Sequence, residues 1–326
     1  MLNETRPRVL HLVDDTTAGG VMRVVDFILS SPELSVTADH QLAEVGNHPL
    51  TFGRYEADVI VSHLSINWRS LPRFLALRGQ HPMSRLIHVE HSYTEEFVAL
   101  NVPSKRRFAQ LLRLSYRVFD TVVGVSDAQS SWLVDSGFVS PDAITTIRSC
   151  VDLSAFRTVS PAQGKPRIIG AIGRLHRQKG FDVLIKALRK CQRADIELHV
   201  YGTGEDEPYL RRLAAGDERI HFKGFAADPV AAIGAVDVVA MPSRWEAYGL
   251  VAIEALAAGR HLLVSEIDGL RDHLRIGAAP VCDLTPDCWE AALEGLFERA
   301  EDCTATRADP ALERDFIRGW RALLAG

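Results

Sequence analysis

The sequence predicts an α/β fold of two Rossmann-like parallel-sheet domains, and three observations carry that prediction. Short apolar runs recur between longer helical patterns along the chain, the rhythm of strands buried on both faces and joined by crossover helices. The 326 residues exceed what one core of ordinary size organises. The runs also fall into two groups, separated by the turn-forming and weakly apolar stretch Val159-Ser160-Pro161-Ala162-Gln163-Gly164-Lys165-Pro166.

In chain order the first group is Val9 to Val13, Val59 to Val61, Leu86 to Val89 and Thr121 to Val125. The second is Ile168 to Ile172, Ile196 to Tyr201, Val236 to Met241 and His261 to Val264. Each run is short and mostly apolar, as an inner strand of a parallel sheet should be. They place an N-terminal domain over residues 1–160 and a C-terminal domain over 161–310. The segment after Cys282 reads as helices rich in Ala, Leu, Glu and Arg. It ends in a helix within 311–326, where Phe316, Ile317, Trp320 and Leu323 form an apolar set that must pack on a neighbour.

Composition narrows the function classes. Hydrophobic residues make up 47% and charged residues 24%, the balance of a chain that folds. A formal net charge of −5 argues against nucleic acid as a partner, because duplex binding rests on many Lys and Arg neutralising phosphates. Cys150, Cys191, Cys282, Cys288 and Cys303 are odd in number and form no C-x-x-C pair, which fits neither a disulfide framework nor a zinc site and points to a cytoplasmic protein. The polar lead Leu2 to Arg8 enters a brief apolar run that Asp14 interrupts, and no later segment is apolar over a bilayer-spanning length. Neither a signal peptide nor a transmembrane helix is expected.

The most informative stretch runs from Val238 to Gly259 and reads as strand, loop and helix. From Leu250 to Ala258 every residue is apolar except Glu254. An ionised carboxylate buried without partners is costly, so Glu254 either pairs with a neighbouring Arg in a structural network or serves a ligand. The helix begins near Gly249, flanked by Tyr248 and Leu250, where unpaired amides and the positive end of the helix dipole make an anion site. Arg174 and Lys179 follow the strand Ile168 to Ile172, at the end where α/β sheets place ligands; the bland alternative is a solvated basic loop. Tyr201-Gly202-Thr203-Gly204 is a glycine turn that lacks the third glycine of a dinucleotide fingerprint. In the first half, Gly19 and Gly20 open a helix after the first strand, either to let backbone amides approach a ligand or simply to turn the chain. His91 follows the strand Leu86 to Val89 at the ligand-binding end of the sheet, as a ligand contact or as a structural histidine. Ser126 reads equally well as an ordinary N-cap.

Together these motifs resemble the family 4 retaining glycosyltransferases of GT-B architecture, whose mark is two glutamates separated by seven residues in this strand-loop-helix; Glu246 and Glu254 have that spacing. Ile172-Gly173-Arg174-Leu175 with Gln178-Lys179-Gly180-Phe181 resembles the family's strand and basic loop, and Tyr201 to Gly204 its glycine turn. Phe222-Lys223-Gly224-Phe225 is similar to a signature lying near the nucleotide base, and the segment from Asp14 to Arg23 to its glycine loop. The resemblance covers nearly the whole chain. It implies two domains facing a central cleft, with the 311–326 helix packing back on the N-terminal domain.

The resemblance further implies transfer from a UDP- or GDP-sugar to a glycan or lipid-linked acceptor, in surface polysaccharide or glycoconjugate synthesis. Arg174 and Lys179 would hold the diphosphate, Glu246 the donor sugar's hydroxyls and Glu254 the ribose. Amides around Tyr248, Gly249 and Leu250 would address phosphate, Phe225 would lie by the base, and His91 would contact the donor sugar near the reacting carbon. Gly19, Gly20, Gly202 and Gly204 complete the binding loops. No cofactor is implied, and with no D-x-D triplet in the chain catalysis is expected to need no metal.

Ala247 and Tyr248 replace the family's commoner Gly and Phe or Trp, the loop Ser265 to Asp272 lacks the usual double glycine and following Pro-Glu, and Arg148 to Asp152 lacks the common Asn-Gly. Rival readings are a GT-B nucleotide-sugar epimerase, a non-catalytic sugar-nucleotide-binding partner subunit and, last, an NAD-linked oxidoreductase. Residues 101–119 carry Lys105, Arg106, Arg107, Arg113 and Arg117 beside the apolar set Phe108, Leu111, Leu112, Tyr116 and Phe119. That basic amphipathic helix is either a core helix with a solvated face or a peripheral contact with an anionic membrane surface.

Overall fold

Strands form where the apolar runs lie, because a run with no polar face is satisfied only by burial on both sides. The computed structural model describes residues 6–16, 19–46, 54–299, 307 and 311–325. The chain divides into two units, Met1–Val151 with Ala311–Gly326, and Asp152–Pro310. The turn-rich stretch Val159 to Pro166 therefore falls inside the second unit.

The first unit holds β1 (Arg8–Val13), β2 (Asp39–Glu44), β3 (Val59–Ser62), β4 (Arg85–Glu90), β5 (Thr121–Gly124) and β6 (Ile144–Thr146), in the order β2-β1-β3-β4-β5-β6. The second holds β7 (Ile168–Ile172), β8 (Glu197–Tyr201), β9 (Ile220–Gly224), β10 (Val238–Met241), β11 (His261–Ser265) and β12 (Ala279–Val281), in the order β12-β11-β10-β7-β8-β9. Every pairing is parallel. The eight inner strands are the eight apolar runs of the sequence. The four edge strands are those the sequence does not announce: β2 is mostly exposed, β6 and β9 are partly exposed, and β12 buries only Val281.

Each unit has its own core. Leu12, Ile60, Leu86, Leu112 and Leu133 are fully buried in the first, and Ile169, Leu184, Leu198, Trp289 and Phe297 in the second. The helix Phe181–Lys190 shows how: Phe181, Val183, Leu184, Ile185, Ala187 and Leu188 are buried, while Arg189 and Lys190 stand at its basic C-terminus. Each large side chain so buried is worth about 1.5–3 kcal/mol.

The helix Ala311–Ala325 belongs to the first unit and packs against it. Phe316 stacks on Phe27 at 5.5 Å, Trp320 lies 5.9 Å from His11, and Arg85 Nη1 donates to the Leu323 carbonyl at 2.6 Å. In the basic helix Lys105–Tyr116, Leu111, Leu112 and Tyr116 enter the core, whereas Lys105, Arg106, Arg107 and Arg113 are exposed. Arg113 is committed to the carbonyls of Ser136 and Gly137. Among the described residues no helix is long and apolar enough to cross a membrane, and Cys150, Cys191, Cys282 and Cys288 are free thiols; Cys303 lies outside the described residues.

Candidate active site

In the second unit, two loops leaving the carboxyl ends of neighbouring strands are stitched together side chain by side chain. The loop after β7 carries the short 3-10 helix Arg177–Lys179, and the loop after β10 runs from Pro242 to Gly249. Gln178 joins them twice: its carbonyl accepts the Arg244 amide at 2.7 Å, and its Nε2 donates to the Trp245 carbonyl at 3.0 Å. Arg244 spans the same gap, donating to both Asp182 oxygens and to the Arg177 carbonyl. Burial raises the pKa of Asp182, but Arg244's hydrogen bonds and charge, helped by Lys186, outweigh it and hold the carboxyl below its usual range.

This stitching brings Lys179 and Glu246 into an ion pair, with both side chains largely buried. Glu246 is fixed from behind. Its amide donates to Asp268 Oδ2 at 3.2 Å, and its carbonyl accepts the Gly269 amide at 3.0 Å. Asp268 has φ 39°, and no other non-glycine among the described residues has positive φ; a strained residue held in place by its contacts is common at binding sites. The altered loop Ser265 to Asp272 therefore serves as the support of Glu246. Sequence reasoning assigned no role to Asp268, Gln178 or the Asp182–Arg244 pair, although Gln178, Arg244 and Asp268 stand in or beside its motifs, because what they do is hold other residues in place.

Gly249 caps the helix Leu250–Ala257 at φ 90°, a left-handed conformation that favours glycine. A Cβ there would lie 3.3 Å from Glu246 Cγ, so the glutamate runs alongside the helix N-terminus and its unpaired amides. Tyr248 is buried, its ring 4.6 Å from that of His273, which also bonds the Tyr248 carbonyl. Glu254 is 1% exposed, one turn into a helix whose side chains lean toward its N-terminus. Cation, carboxylates and helix amides thus share one end of the sheet, an arrangement able to bind an anion and a polyhydroxyl group together.

The remaining predicted residues are placed differently. Arg174 is exposed just beyond β7, and Phe225 is 68% exposed just beyond β9. Gly202 and Gly204 press on the β7 loop: a Cβ would fall 1.9 Å from the Gly173 carbonyl oxygen at Gly202, and 2.3 Å from that of Leu175 at Gly204. Their first effect is to let the loop carrying Arg174 lie flat on its neighbour. Glu197, His199 and His221 offer a metal-like ligand set across β8 and β9, but both histidines already bond Glu197, at 2.9 and 3.3 Å, and Lys223 adds positive charge beside them.

In the first unit, Gly19 is the N-cap of the helix Gly20–Ser30, with extended φ of −152° and its carbonyl accepting the Arg23 amide at 3.1 Å; Thr17 and Ala18 lie outside the described residues. Ser126 is an N-cap, accepting the Gln129 amide. His91, partly buried, follows β4, and its Nε2 contacts His63 Nδ1 at 2.8 Å. Burial pushes His91 down to about 4, with Glu90 opposing and His88 reinforcing the shift. His91 ends a file of histidines that no local motif marks: His63 Nε2 meets His11 Nδ1 at 3.0 Å, and His11 Nε2 meets His40 Nδ1 at 3.0 Å.

Residues 166–298 match the family model described as Glycosyl transferases group 1. Over 126 residues, 37% of the chain, the sequence is 34% identical to an uncharacterized glycosyltransferase of Methanocaldococcus jannaschii, a match covering 32% of that protein. Over 207 residues, 59% of the chain, it is 28% identical to a glycogen synthase of Streptococcus pneumoniae, covering 42% of it. The matches thus span less than half the length of these relatives. The fold is similar to that of Anabaena HepE crystallised with UDP, at TM-score 0.72 and 15% identity over 98% of both chains. The complex of HepE with UDP-glucose gives 0.70 and 16%, again over 98% of both. Sucrose-phosphate synthase of Thermosynechococcus elongatus gives 0.67 and 17%, over 98% of this chain and 94% of that one. The two parallel six-stranded sheets are those of a GT-B fold.

Proposed function

We propose that this chain, whose residues 166–298 match the glycosyl transferases group 1 family model, moves a sugar from a nucleotide-diphosphate sugar to a glycan or lipid-linked acceptor, with retention and without a bound metal. The observation that carries the reading is the Lys179–Glu246 ion pair beside the amides of Gly249 and Leu250. A diphosphate entering that corner meets a cation and a helix N-terminus, while Glu246 faces a neighbouring polyhydroxyl group. The uridine nucleotides bound by HepE, a protein of similar fold, favour a UDP-sugar.

In this reading the bond between the sugar's anomeric carbon and the β-phosphate oxygen breaks. The acceptor oxygen bonds the same carbon from the same face, and its proton passes to the departing phosphate. No protein nucleophile is needed. Lys179 and Arg174, with the helix amides, stabilise the charge that develops on the leaving group, which is where fixed positive groups lower a barrier most. The chain has no D-x-D triplet to hold a metal-bound diphosphate, so this cationic corner takes that role. Glu254 reaches the ribose.

The acceptor side extends the same proposal to a membrane surface and to polysaccharide or glycoconjugate synthesis. Exposed Lys105, Arg106 and Arg107 adjoin a groove of about 370 Å³ lined by Trp68, Tyr93, Val102 and Phe108. Basic residues beside exposed aromatic surface suit an anionic bilayer. Co-sedimentation with anionic vesicles should fall in Arg106→Glu/Arg107→Glu, and unchanged binding refutes the contact.

The test of the activity is nucleotide diphosphate release from UDP-, GDP-, ADP- and TDP-sugars, with and without EDTA. Release from one donor that survives EDTA and disappears in Lys179→Ala and Glu246→Ala supports the reading. Donor binding without release, even with candidate acceptors present, favours a non-catalytic binding subunit.

A further inference from the structure

Four histidines far apart in sequence form one hydrogen-bonded file through the first sheet. His40 is on β2, His11 on β1, His63 follows β3 and His91 follows β4, and these are four consecutive strands of the sheet. Successive rings are stacked with centroids 5.3, 5.3 and 5.2 Å apart. The contacts alternate without exception: Nδ1 of His40 to Nε2 of His11, Nδ1 of His11 to Nε2 of His63, Nδ1 of His63 to Nε2 of His91. His11 and His63 are 0% and 6% exposed, and Trp320 closes over His11.

A neutral imidazole has one N–H and one bare nitrogen. His11 and His63 use both nitrogens within the file, so each must donate one bond and accept one. The direction is therefore common to all the rings. Either every ring carries its proton on Nδ1 and the bonds run from His40 to His91, or every ring carries it on Nε2 and they run back. The far end decides. His40 Nε2 is buried and has no hydrogen-bond partner among the described residues. The backward direction would leave a buried N–H there without an acceptor, whereas the forward direction leaves only a bare lone pair, the lesser penalty. A proton added to either inner ring would have to replace an acceptor by a donor facing a donor, and burial already holds His11 and His63 well below their usual range. The groups facing the file are Asp39 beside His40, His88 beside His63 and His91, and Glu90 beside His91. Glu90 is occupied by the Tyr116 hydroxyl and the amides of Ser92 and Tyr93.

We propose that His40, His11 and His63 are positioning residues that lock His91 as the neutral Nδ1–H tautomer, so that the ring at the end of β4 is a hydrogen-bond donor and not a proton acceptor. With Nε2 filled by the His63 proton and Nδ1 already protonated, His91 has no lone pair to offer. It suits the oxygen of a hydroxyl or ether group and cannot take up a proton from one.

Nitrogen-15 NMR of the histidine-labelled full chain tests this without a ligand. The expected result at pH 7 is Nδ1–H at His91, His63, His11 and His40, with no imidazolium. In His63→Asn the amide nitrogen replaces Nδ1 as donor, and His91 should keep its tautomer. In His63→Leu the donor is gone, His91 should become a tautomer mixture, and its titration should move up by about one pH unit or more. An Nε2–H or imidazolium His91 in the unaltered protein, or an unchanged tautomer in His63→Leu, overturns the relay.

Discussion

Arg244 grips Asp182 through both carboxylate oxygens, at 2.9 and 3.0 Å, across the gap between the β7 and β10 loops. The two side chains are only 20% and 14% exposed, so removing the cation strands a partly buried carboxylate. Arg244→Ala should lower stability by about 1–3 kcal/mol, and Arg244→Lys should recover part of it because a point charge cannot make the bidentate contact. Thermal unfolding measures both. The acid dependence follows from the sign of the shift. Asp182 is depressed in the folded chain, so its contribution is present above the unfolded carboxylate range and is lost as pH falls through the folded value.

Lys179 and Glu246 should act as a unit. Each single alanine variant is expected to cut turnover by about 100-fold or more, the scale seen when a fixed group at a developing charge is removed. The double variant should cost far less than the product of the two, because each single change also leaves a buried partner without its counterion. Strictly multiplicative losses in kcat/KM argue against a shared role.

Gly202→Ala and Gly204→Ala should both destabilise the second unit by about 1–3 kcal/mol or more, since each methyl would collide with a backbone carbonyl that cannot swing away. Gly79→Ala is the contrast. That glycine sits inside the helix Leu71–Gln80 with nothing within 4 Å of a new Cβ, so alanine should stabilise by about 0.5–1 kcal/mol. Unfolding midpoints of the three variants should move in these opposite directions.

The histidine file makes the first unit sensitive to acid. Burial, then His40, pushes His11 down to about 3, and burial pushes His91 down to about 4, against about 6.5 unfolded. Between those values the unfolded chain binds more protons than the folded one, so stability must fall as pH drops below about 6.5 and go on falling toward about 4. Unfolding midpoints at pH 7.5, 6 and 5 should show it, and His11→Gln should flatten the slope. An equal slope in the variant assigns the acid sensitivity elsewhere.

What the sequence reveals depends on burial. Inner strands such as Val59–Ser62 and Val238–Met241 are buried at every position, so apolar runs mark them. Edge strands are bonded on one side and wetted on the other; Asp39–Glu44 reads as a polar stretch for that reason. The same contrast governs the site. Glu246, Glu254, Lys179 and Gly249 stand in local motifs, which is why the sequence marks them as candidates. Asp268 and Gln178 act by holding a neighbour's backbone, and the histidine file exists only once β1 to β4 are laid side by side. Its one trace in the sequence is a histidine within or just after each of four strands, which has meaning only if the strand order is known.

The helix Ala311–Ala325 lays Trp320 over His11 and Phe316 over Phe27, which fixes an order of events during synthesis. The first unit leaves the ribosome first, yet it lacks its last helix until the second unit's entire sequence has been translated. The second unit, Asp152–Pro310, is contiguous and can finish folding while the earlier one still exposes the groove meant for that helix. At about 5–20 residues per second, the first unit waits many seconds with apolar surface open, and a chain cut before Ala311 would never close it.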